Sequence, residues 1–236
     1  MTNSEFSRRL ATACALPQGA HVLAAVSGGA IRCKNDYYRR GIPGSVDAGL
    51  LRAGVAQRVL QAAALLPPGH TFLVYDGWRP YAVQYRLYAD YLCQLALEPA
   101  WQDRTVAELC AAADDFVALP RRGLPVSYGH SSGGAVDLTI LGADGAPLHM
   151  GSDFDEFSPR SYADYYETQA TDETARRNRA LLRDVMFRAG FTGISSEWWH
   201  FDYGNKNWAQ RQGCQPLYAA VYDLPEALSG AVTVHP

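Results

Sequence analysis

Four ionisable side chains lie in two short segments of the chain. The first segment, Ser127–Asp137, contains His130 and Asp137, and the second, Glu197–His200, has a carboxylate and an imidazole at its two ends. Two imidazoles and one carboxylate can hold a zinc ion and leave one coordination position open. A further carboxylate beside the last ligand can serve as a general base. The pattern therefore indicates hydrolytic chemistry assisted by one Zn²⁺ ion.

The segment around His130 and Asp137 favours a shared ligand position. Gly133 and Gly134 separate the histidine from a predicted strand over 135–140, and glycine lets the backbone approach closely there. Within that strand the large apolar residues alternate with Asp137, which places the carboxylate on the face opposite to the core. A loop histidine followed by a strand aspartate can bring two ligands to one point.

The spacing of Glu197 and His200 adds a structural requirement. We predict a strand over 194–203, and side chains three residues apart on a regular strand point to opposite faces. A bulge or bend near Trp198 and Trp199 is therefore needed for both groups to reach one ion. We expect one of these tryptophans to border the site and the other to pack in the core.

Each of these residues also has an ordinary structural interpretation. Taken alone, His130 is typical of a polar loop residue, Asp137 of a turn cap and His200 of a hydrogen-bonded core histidine. Their joint occurrence in segments framed by glycine and tryptophan favours the metal site. The remaining histidines have no acidic or histidine companion at ligand spacing, and we interpret them as surface or structural residues: His21, His70, His149 and His235.

Composition excludes several classes of function. The chain has 236 residues, a formal net charge of −3 and no basic field, so we expect no nucleic-acid partner. No apolar run approaches the ~20 residues that span a membrane, and the first residues lack the apolar region of a signal peptide. Five scattered cysteines without a C-x-x-C pair are typical of reduced thiols. These features predict a cytoplasmic protein without a membrane partner and leave its oligomeric state open.

Apolar periodicity predicts a single α+β domain over residues 1–236. Helices are indicated where apolar residues recur every three to four positions, and strands where short β-rich or alternating segments occur. Helices mixed with mostly antiparallel strands form one sheet packed with helices. The predicted helices are 4–13, 47–66, 80–96, 103–113 and 171–190, and the predicted strands are 72–75, 135–140, 147–150 and 194–203, with a long loop over 151–170.

Four motifs occur in a fixed order along the chain. Asp76–Pro80 is similar to D-G-Y-R-P, His130–Asp137 to H-x-x-G-x-A-x-D, Met150–Asp155 to M-G-S-x-F-D, and Glu197–His200 to E-W-W-H. This set resembles the zinc D-Ala-D-Ala peptidases of family M15, and in particular their D-alanyl-D-alanine dipeptidase branch. The resemblance covers about residues 50–205.

The resemblance implies a fold, a reaction and a role for each motif residue. The fold would be the α+β fold of Hedgehog and DD-peptidase proteins, and the reaction the hydrolysis of the small substrate D-alanyl-D-alanine to two D-alanines. Glu197 would be the catalytic acid/base, Arg79 would stabilise the oxyanion, and Asp155 would hold the ammonium group of the substrate. The implied zinc ligands are His130, Asp137 and His200.

Two parts of the chain depart from the family pattern. The family usually has serine two residues before the first histidine ligand, whereas Tyr128 stands there and Ser127 is one position further back. Residues before about 45 do not align with the family, so the resemblance assigns no substrate contact to them.

Other interpretations remain open at this point. Arg79 could form an ion pair with Asp76 that only orders the turn. The protein could be a carboxypeptidase that trims longer peptidoglycan stem peptides on the same fold, or a zinc-binding recognition module without catalysis. Glu197 discriminates against the last interpretation, because a binding module needs no base beside the metal.

Overall fold

Short strands and helices follow one another along residues 23–26, 31–114, 116–122 and 129–236, which the computed structural model describes. The predicted helix over 4–13 and the positions Ser127 and Tyr128 lie outside these residues. The strands are β1 Leu23–Ala25, β2 Ile31–Cys33, β3 Leu50–Arg52, β4 Thr71–Asp76, β5 Ala135–Leu141, β6 Thr192–Gly193 and β7 His200–Asp202. The helices are α1 Asp36–Arg39, α2 Ala53–Ala63, α3 Tyr81–Leu97, α4 Val106–Asp114, α5 Tyr165–Gln169, α6 Glu173–Arg188 and α7 Lys206–Gln212. Short 3₁₀ turns occur at Pro99–Trp101, Gly129–Ser132, Pro159–Ser161 and Glu226–Leu228.

The central feature is a five-stranded sheet in the order β2-β4-β5-β7-β6. Only the β2–β4 pair is parallel; β4–β5, β5–β7 and β7–β6 are antiparallel. A separate antiparallel pair joins β1 and β3. The prediction of an α+β fold with a mostly antiparallel sheet is therefore confirmed.

Strand β5 is buried along its whole length. Val136, Leu138 and Ile140 share one apolar cluster with residues of α2 and α6, so both helices cover the sheet on that side. Because side chains alternate along a strand, Asp137 projects to the other side. That side is buried as well, so the carboxylate of Asp137 needs polar partners there.

A row of three polar residues crosses the sheet at Asp137. This residue pairs with Asp76 on β4 and with His200 on β7. Residues directly opposite each other in antiparallel strands project to the same face, so the register brings all three side chains together.

A bulge in β4 is what places Asp76 in this row. Val74 pairs with Leu138, but Asp76 pairs with Asp137, so two residues of β4 oppose one residue of β5. Without the extra residue Tyr75, the side chain of Asp76 would project to the apolar face with Val74. The sheet irregularity that the site requires thus lies in β4.

Several predicted element boundaries are wrong. The helix predicted over 47–66 begins only at Ala53, because residues 50–52 pair with β1 as β3. The return strand predicted over 147–150 is reduced to a single bridge between Leu141 and Pro147. The loop predicted over 151–170 contains α5 and a 3₁₀ turn.

The strand predicted over 194–203 is also wrong in extent. Only β7 forms there, β6 ends just before it at Gly193, and the six residues before His200 are irregular. The backbone N–H of Trp198 donates to the carbonyl of Ser161, outside the sheet. Glu197 is therefore not part of a strand, and the alternation of side chains along a strand does not set its direction. No bulge between it and His200 is required.

No helix among the described residues has the length and apolar character needed to cross a bilayer. The single domain over residues 1–236 stays a prediction, because residues 1–22 lie outside the described part.

Gly134 tests how tightly β5 is held at the site. A Cβ there would lie 2.5 Å from the carbonyl oxygen of Tyr203, whose N–H donates to the carbonyl of Gly134. We expect Gly134→Ala to lower the free energy of unfolding by about 1–3 kcal/mol, the usual cost of overpacking, in urea denaturation. Gly193→Ala is the control, because its Cβ would meet atoms only at 3.7 Å. Equal stability of the two variants would contradict this packing.

Candidate metal centre

Three side chains from separate elements meet at one buried point. His130 lies in the 3₁₀ turn before β5, Asp137 in the middle of β5, and His200 at the start of β7. The Nε2 atom of His130 lies 3.3 Å from Nδ1 of His200 and 3.2 Å from Oδ2 of Asp137. The Nδ1 atom of His200 lies 3.0 Å from Oδ1 of Asp137. The structure thus brings together all three predicted ligands.

The hydrogen bond that each imidazole makes through its outer ring nitrogen determines whether its inner ring nitrogen carries a lone pair. The Nδ1–H of His130 donates to the carbonyl of Gly77 at 2.7 Å, and the Nε2–H of His200 donates to Asp202 at 3.0 Å. When both imidazoles are neutral, the inner nitrogens carry lone pairs directed at the carboxylate of Asp137. Burial acts to lower the pKa of His200, but Asp202 and Asp137 raise it well above its ordinary value. The facing atoms therefore favour a positive charge between them, either a proton or a metal cation.

The spacing of the donors fits a tetrahedral ion. Ligand atoms about 2.0–2.1 Å from a zinc ion lie about 3.3 Å from one another in a tetrahedron. The nitrogen–nitrogen separation of 3.3 Å matches this edge, and each nitrogen lies 3.0–3.2 Å from one of the two oxygens of Asp137. Two nitrogens and one carboxylate oxygen are also zinc's usual donor types, and they leave the fourth position open.

Asp202 lies behind His200 and is completely buried. Its carboxylate also accepts hydrogen bonds from the side-chain amides of Asn205 and Asn207. Burial acts to raise the pKa of Asp202, but His200 and the two amides hold it below its ordinary value. The sequence analysis missed this group, although an acid two residues after a histidine on one strand face is a usable signal.

Glu197 lies beside the donors without joining them. Its Oε2 atom is 3.7 Å from Nδ1 of His200. Burial raises the pKa of Glu197 to about 8; His200 opposes the shift, while Asp137 and Asp155 add to it. A cation at the centre would favour the ionised form by direct attraction.

Arg79 is buried and held by several groups. Its Nε donates to Asp76 at 2.9 Å, Nη1 to Gln84 at 2.7 Å, and Nη2 to the hydroxyl of Tyr37 at 3.1 Å. Nη2 also lies 3.8 Å from Oδ2 of Asp137. Burial acts to lower the pKa of Arg79, but Tyr37 and Asp76 raise it above its ordinary value. The ion pair with Asp76 is present, and it fixes a permanent cation next to the metal centre.

Asp155 lies on the same cavity wall in a left-handed backbone conformation, with φ of 58°. Its carboxylate accepts from Nη1 of Arg40 at 2.9 Å and from the hydroxyl of Tyr37 at 3.3 Å. Burial raises the pKa of Asp155 to about 6, although Arg79 opposes the shift. Tyr37 and Arg40 precede the region of resemblance, and no local motif marks them as site residues.

The two adjacent tryptophans have different surroundings. Trp199 borders the cavity that contains the metal centre, as well as packing in the core. The Nε1–H of Trp198 donates to Ser152 at 2.9 Å, which fixes its ring in the core.

The other described histidines lie elsewhere. His149 is exposed and pairs with Asp172 at 2.6 Å, while His70 and His235 contact only backbone carbonyls through their ring nitrogens. His21 lies outside the described residues.

The sequence is similar to known proteins over most of this region. The model of a protein family described as D-ala-D-ala dipeptidase, Peptidase_M15, matches residues 39–217. A D-alanyl-D-alanine dipeptidase of Synechocystis sp. is 32% identical over 176 residues, which make up 68% of this chain and 71% of that protein. Another from Escherichia coli is 37% identical over 136 residues, or 57% of this chain and 55% of that protein.

Among solved structures, VanYB in complex with D-Alanine-D-Alanine aligns with a TM-score of 0.42 at 18% identity, over 72% of this chain and 81% of that one. The family match covers well over half of the sequence, and its range includes the three convergent donors, Glu197, Arg79 and Asp155. The chain therefore belongs to the D-Ala-D-Ala dipeptidase family of M15 peptidases.

Proposed function

We propose that this protein hydrolyses D-alanyl-D-alanine, using one Zn²⁺ ion bound by His130, Asp137 and His200. The observation that carries the proposal is the convergence of three buried donor side chains at one point, with the carboxylate of Glu197 3.7 Å from one of them. A zinc ion in this position supplies a water molecule of lowered pKa and polarises the scissile carbonyl.

Glu197 is the proton carrier in this proposal. Its Oε2 takes a proton from the attacking water and passes it to the nitrogen of the leaving D-alanine, so the carboxylate is regenerated in each turnover. The burial that raises its pKa also makes it a strong enough base for the first transfer.

Arg79 and Asp155 bind groups of opposite charge, Arg79 the oxyanion and Asp155 the ammonium group of the substrate. The guanidinium of Arg79 stabilises the oxyanion that develops on the carbonyl oxygen, and its three anchors remove the need to reorganise. The carboxylate of Asp155 accepts the ammonium group of the substrate, and Tyr37 and Arg40 hold it in place.

Release of D-alanine from the free dipeptide, compared with a tripeptide and a pentapeptide ending in D-Ala-D-Ala, tests this function. We expect the dipeptide to be the preferred substrate, which also fits the predicted cytoplasmic location. A preference for the longer peptides would favour the carboxypeptidase interpretation instead.

Glu197→Gln removes the base and keeps the size of the side chain. We expect kcat for D-alanyl-D-alanine to fall by about 10²–10⁴-fold while bound zinc stays at one ion per chain. The measurements are D-alanine release and metal content, and the exposed Glu226→Gln is the control. Unchanged turnover in zinc-loaded Glu197→Gln would remove Glu197 from the mechanism and favour a different base.

Asp155→Asn tests the ammonium contact. We expect KM to rise by about 10–100-fold, the value of a charge-assisted hydrogen bond, with a smaller change in kcat. In the unsubstituted protein KM should also rise as the pH is lowered through about 6, where Asp155 takes up a proton and loses its charge. The variant should lack this rise. A matching pH dependence of KM in both proteins would contradict the assignment.

Asp202→Asn tests the support of His200. The amide nitrogen that replaces one oxygen would face a donor amide of Asn205 or Asn207, and the negative charge behind the imidazole would be lost. We expect zinc affinity, measured by competition with a chromophoric chelator, to fall by about 10–100-fold. Asp184→Asn on the surface of α6 is the control. Unchanged zinc affinity in Asp202→Asn would show that His200 is oriented without it.

A further inference from the structure

The cavity that contains the metal centre is much larger than the proposed substrate. Its volume is about 850 Å³. Cavities of this size hold drug-sized ligands, whereas D-alanyl-D-alanine has only about 11 non-hydrogen atoms. Most of the cavity is therefore available for something attached to the dipeptide.

One face of α3 forms a long wall of this cavity. The wall residues recur every three to four positions, which is the repeat of a helix face: Gln84, Leu87, Tyr91 and Gln94. Leu95 flanks this face, and Glu98 follows the last residue of the helix. At a rise of 1.5 Å per residue the face from Gln84 to Gln94 is about 15 Å long. Gln84 accepts a hydrogen bond from Arg79, so the wall begins at the metal centre and leads away from it.

An extended dipeptide spans only about 7 Å of this length. Beyond it the cavity is lined by aromatic rings. The ring of Phe157 lies 4.7 Å from that of Tyr91 and 5.4 Å from that of Phe116. Phe157 is two residues from Asp155 and lines the same cavity, so these rings are available to a side chain on the residue held by Asp155. The methylene groups of a long side chain would be buried against them.

Acidic side chains also line this cavity. Asp114 interacts with Tyr88, in the middle of α3, and its carboxylate accepts the backbone N–H of Leu119 at 2.9 Å. Asp90 and Glu98 line the cavity as well, and Arg121 is the basic residue beside Tyr88. A cationic group near Tyr91 would be attracted to these carboxylates.

We propose that this extension of the cavity, defined by the face of α3 from Leu87 to Leu95 with Phe116 and Phe157, is a specificity site. It accepts a D,D-dipeptide whose first residue carries a long aliphatic side chain ending in an ammonium group, such as D-Lys-D-Ala. The inference rests on the proposed function for the position of the dipeptide itself, and it widens the substrate class to basic first residues.

Binding to zinc-loaded Glu197→Gln, measured by calorimetry, tests the extension separately from turnover. The ligands are D-Ala-D-Ala, D-norleucyl-D-Ala, D-Lys-D-Ala and D-Glu-D-Ala. Each buried methylene is worth about fourfold in affinity, so we expect D-norleucyl-D-Ala to bind at least about tenfold more tightly than D-Ala-D-Ala. D-Lys-D-Ala should bind at least as tightly as D-norleucyl-D-Ala, and D-Glu-D-Ala more weakly than either.

Two matched tryptophan variants test whether the preference for long side chains arises in the extension of the cavity. Gln94→Trp introduces an indole into the extension, and we expect it to remove the preference for D-Lys-D-Ala over D-Ala-D-Ala. Leu97→Trp places the same ring on the exposed face of α3 and should leave the preference unchanged. Asp114→Asn should reduce the affinity advantage of D-Lys-D-Ala over D-norleucyl-D-Ala.

Equal or weaker binding of the long dipeptides, or an unchanged preference in Gln94→Trp, would overturn the inference. A preference for L-Lys-D-Ala-D-Ala over D-Lys-D-Ala would also overturn it, because the extension would then hold additional peptide. D-alanine release by the unsubstituted protein is followed in parallel. If it releases no D-alanine from any dipeptide, the proposed function fails, while the binding ratios still decide the role of the extension.

Discussion

Two imidazole nitrogens and the two oxygens of one carboxylate, with contacts of 3.0–3.3 Å between them, are the constraint on which the rest of the site depends. The sheet imposes this proximity, because Asp137 and His200 are register partners on adjacent strands. His130 is added by the turn that leads directly into β5. A divalent cation turns their mutual repulsion into attraction, so metal binding and the local fold stabilise each other.

The surroundings of the three donors make sense as orientation devices. Each imidazole donates its outer N–H to a fixed acceptor, a backbone carbonyl for His130 and Asp202 for His200. These hydrogen bonds select the tautomer in which the inner nitrogen is a ligand. The bulge in β4 contributes in the same way, because it turns Asp76 towards Arg79 and holds that cation beside Asp137.

The sequence was sufficient for the parts of the site that reside in local patterns. Alternation along β5 predicted that Asp137 faces away from the core, and the motif spacing predicted which residues meet. Predictions from the sequence were wrong where a contact between distant residues determines the structure. Strand alternation gave the wrong geometry for Glu197, because a backbone hydrogen bond from Trp198 to Ser161 draws that segment out of the sheet.

The contacts that Tyr37 and Arg40 make with Asp155 are a second case that local sequence patterns do not predict. They reach Asp155 across more than a hundred residues of sequence, and their own segment carries no chemical motif. Only the parallel pairing of β2 with β4 brings α1 to the site. A contact of this kind depends on topology, which local periodicity does not encode.

The balance of charge around the centre explains why these distant residues matter. Four carboxylates lie near the donor Asp137 and the two imidazoles, namely Asp76, Asp155, Glu197 and Asp202, whereas Arg40 and Arg79 are the guanidinium groups paired with members of this set of five carboxylates. The excess of negative charge, together with burial, is expressed in the raised pKa values of Glu197 and Asp155, about 8 and about 6. A divalent cation would offset most of this excess and let Glu197 ionise at neutral pH, which the proposed role as proton acceptor requires. In the proposed function the same excess would attract the ammonium end of a substrate, while the anchored guanidinium of Arg79 would stay available for the oxyanion.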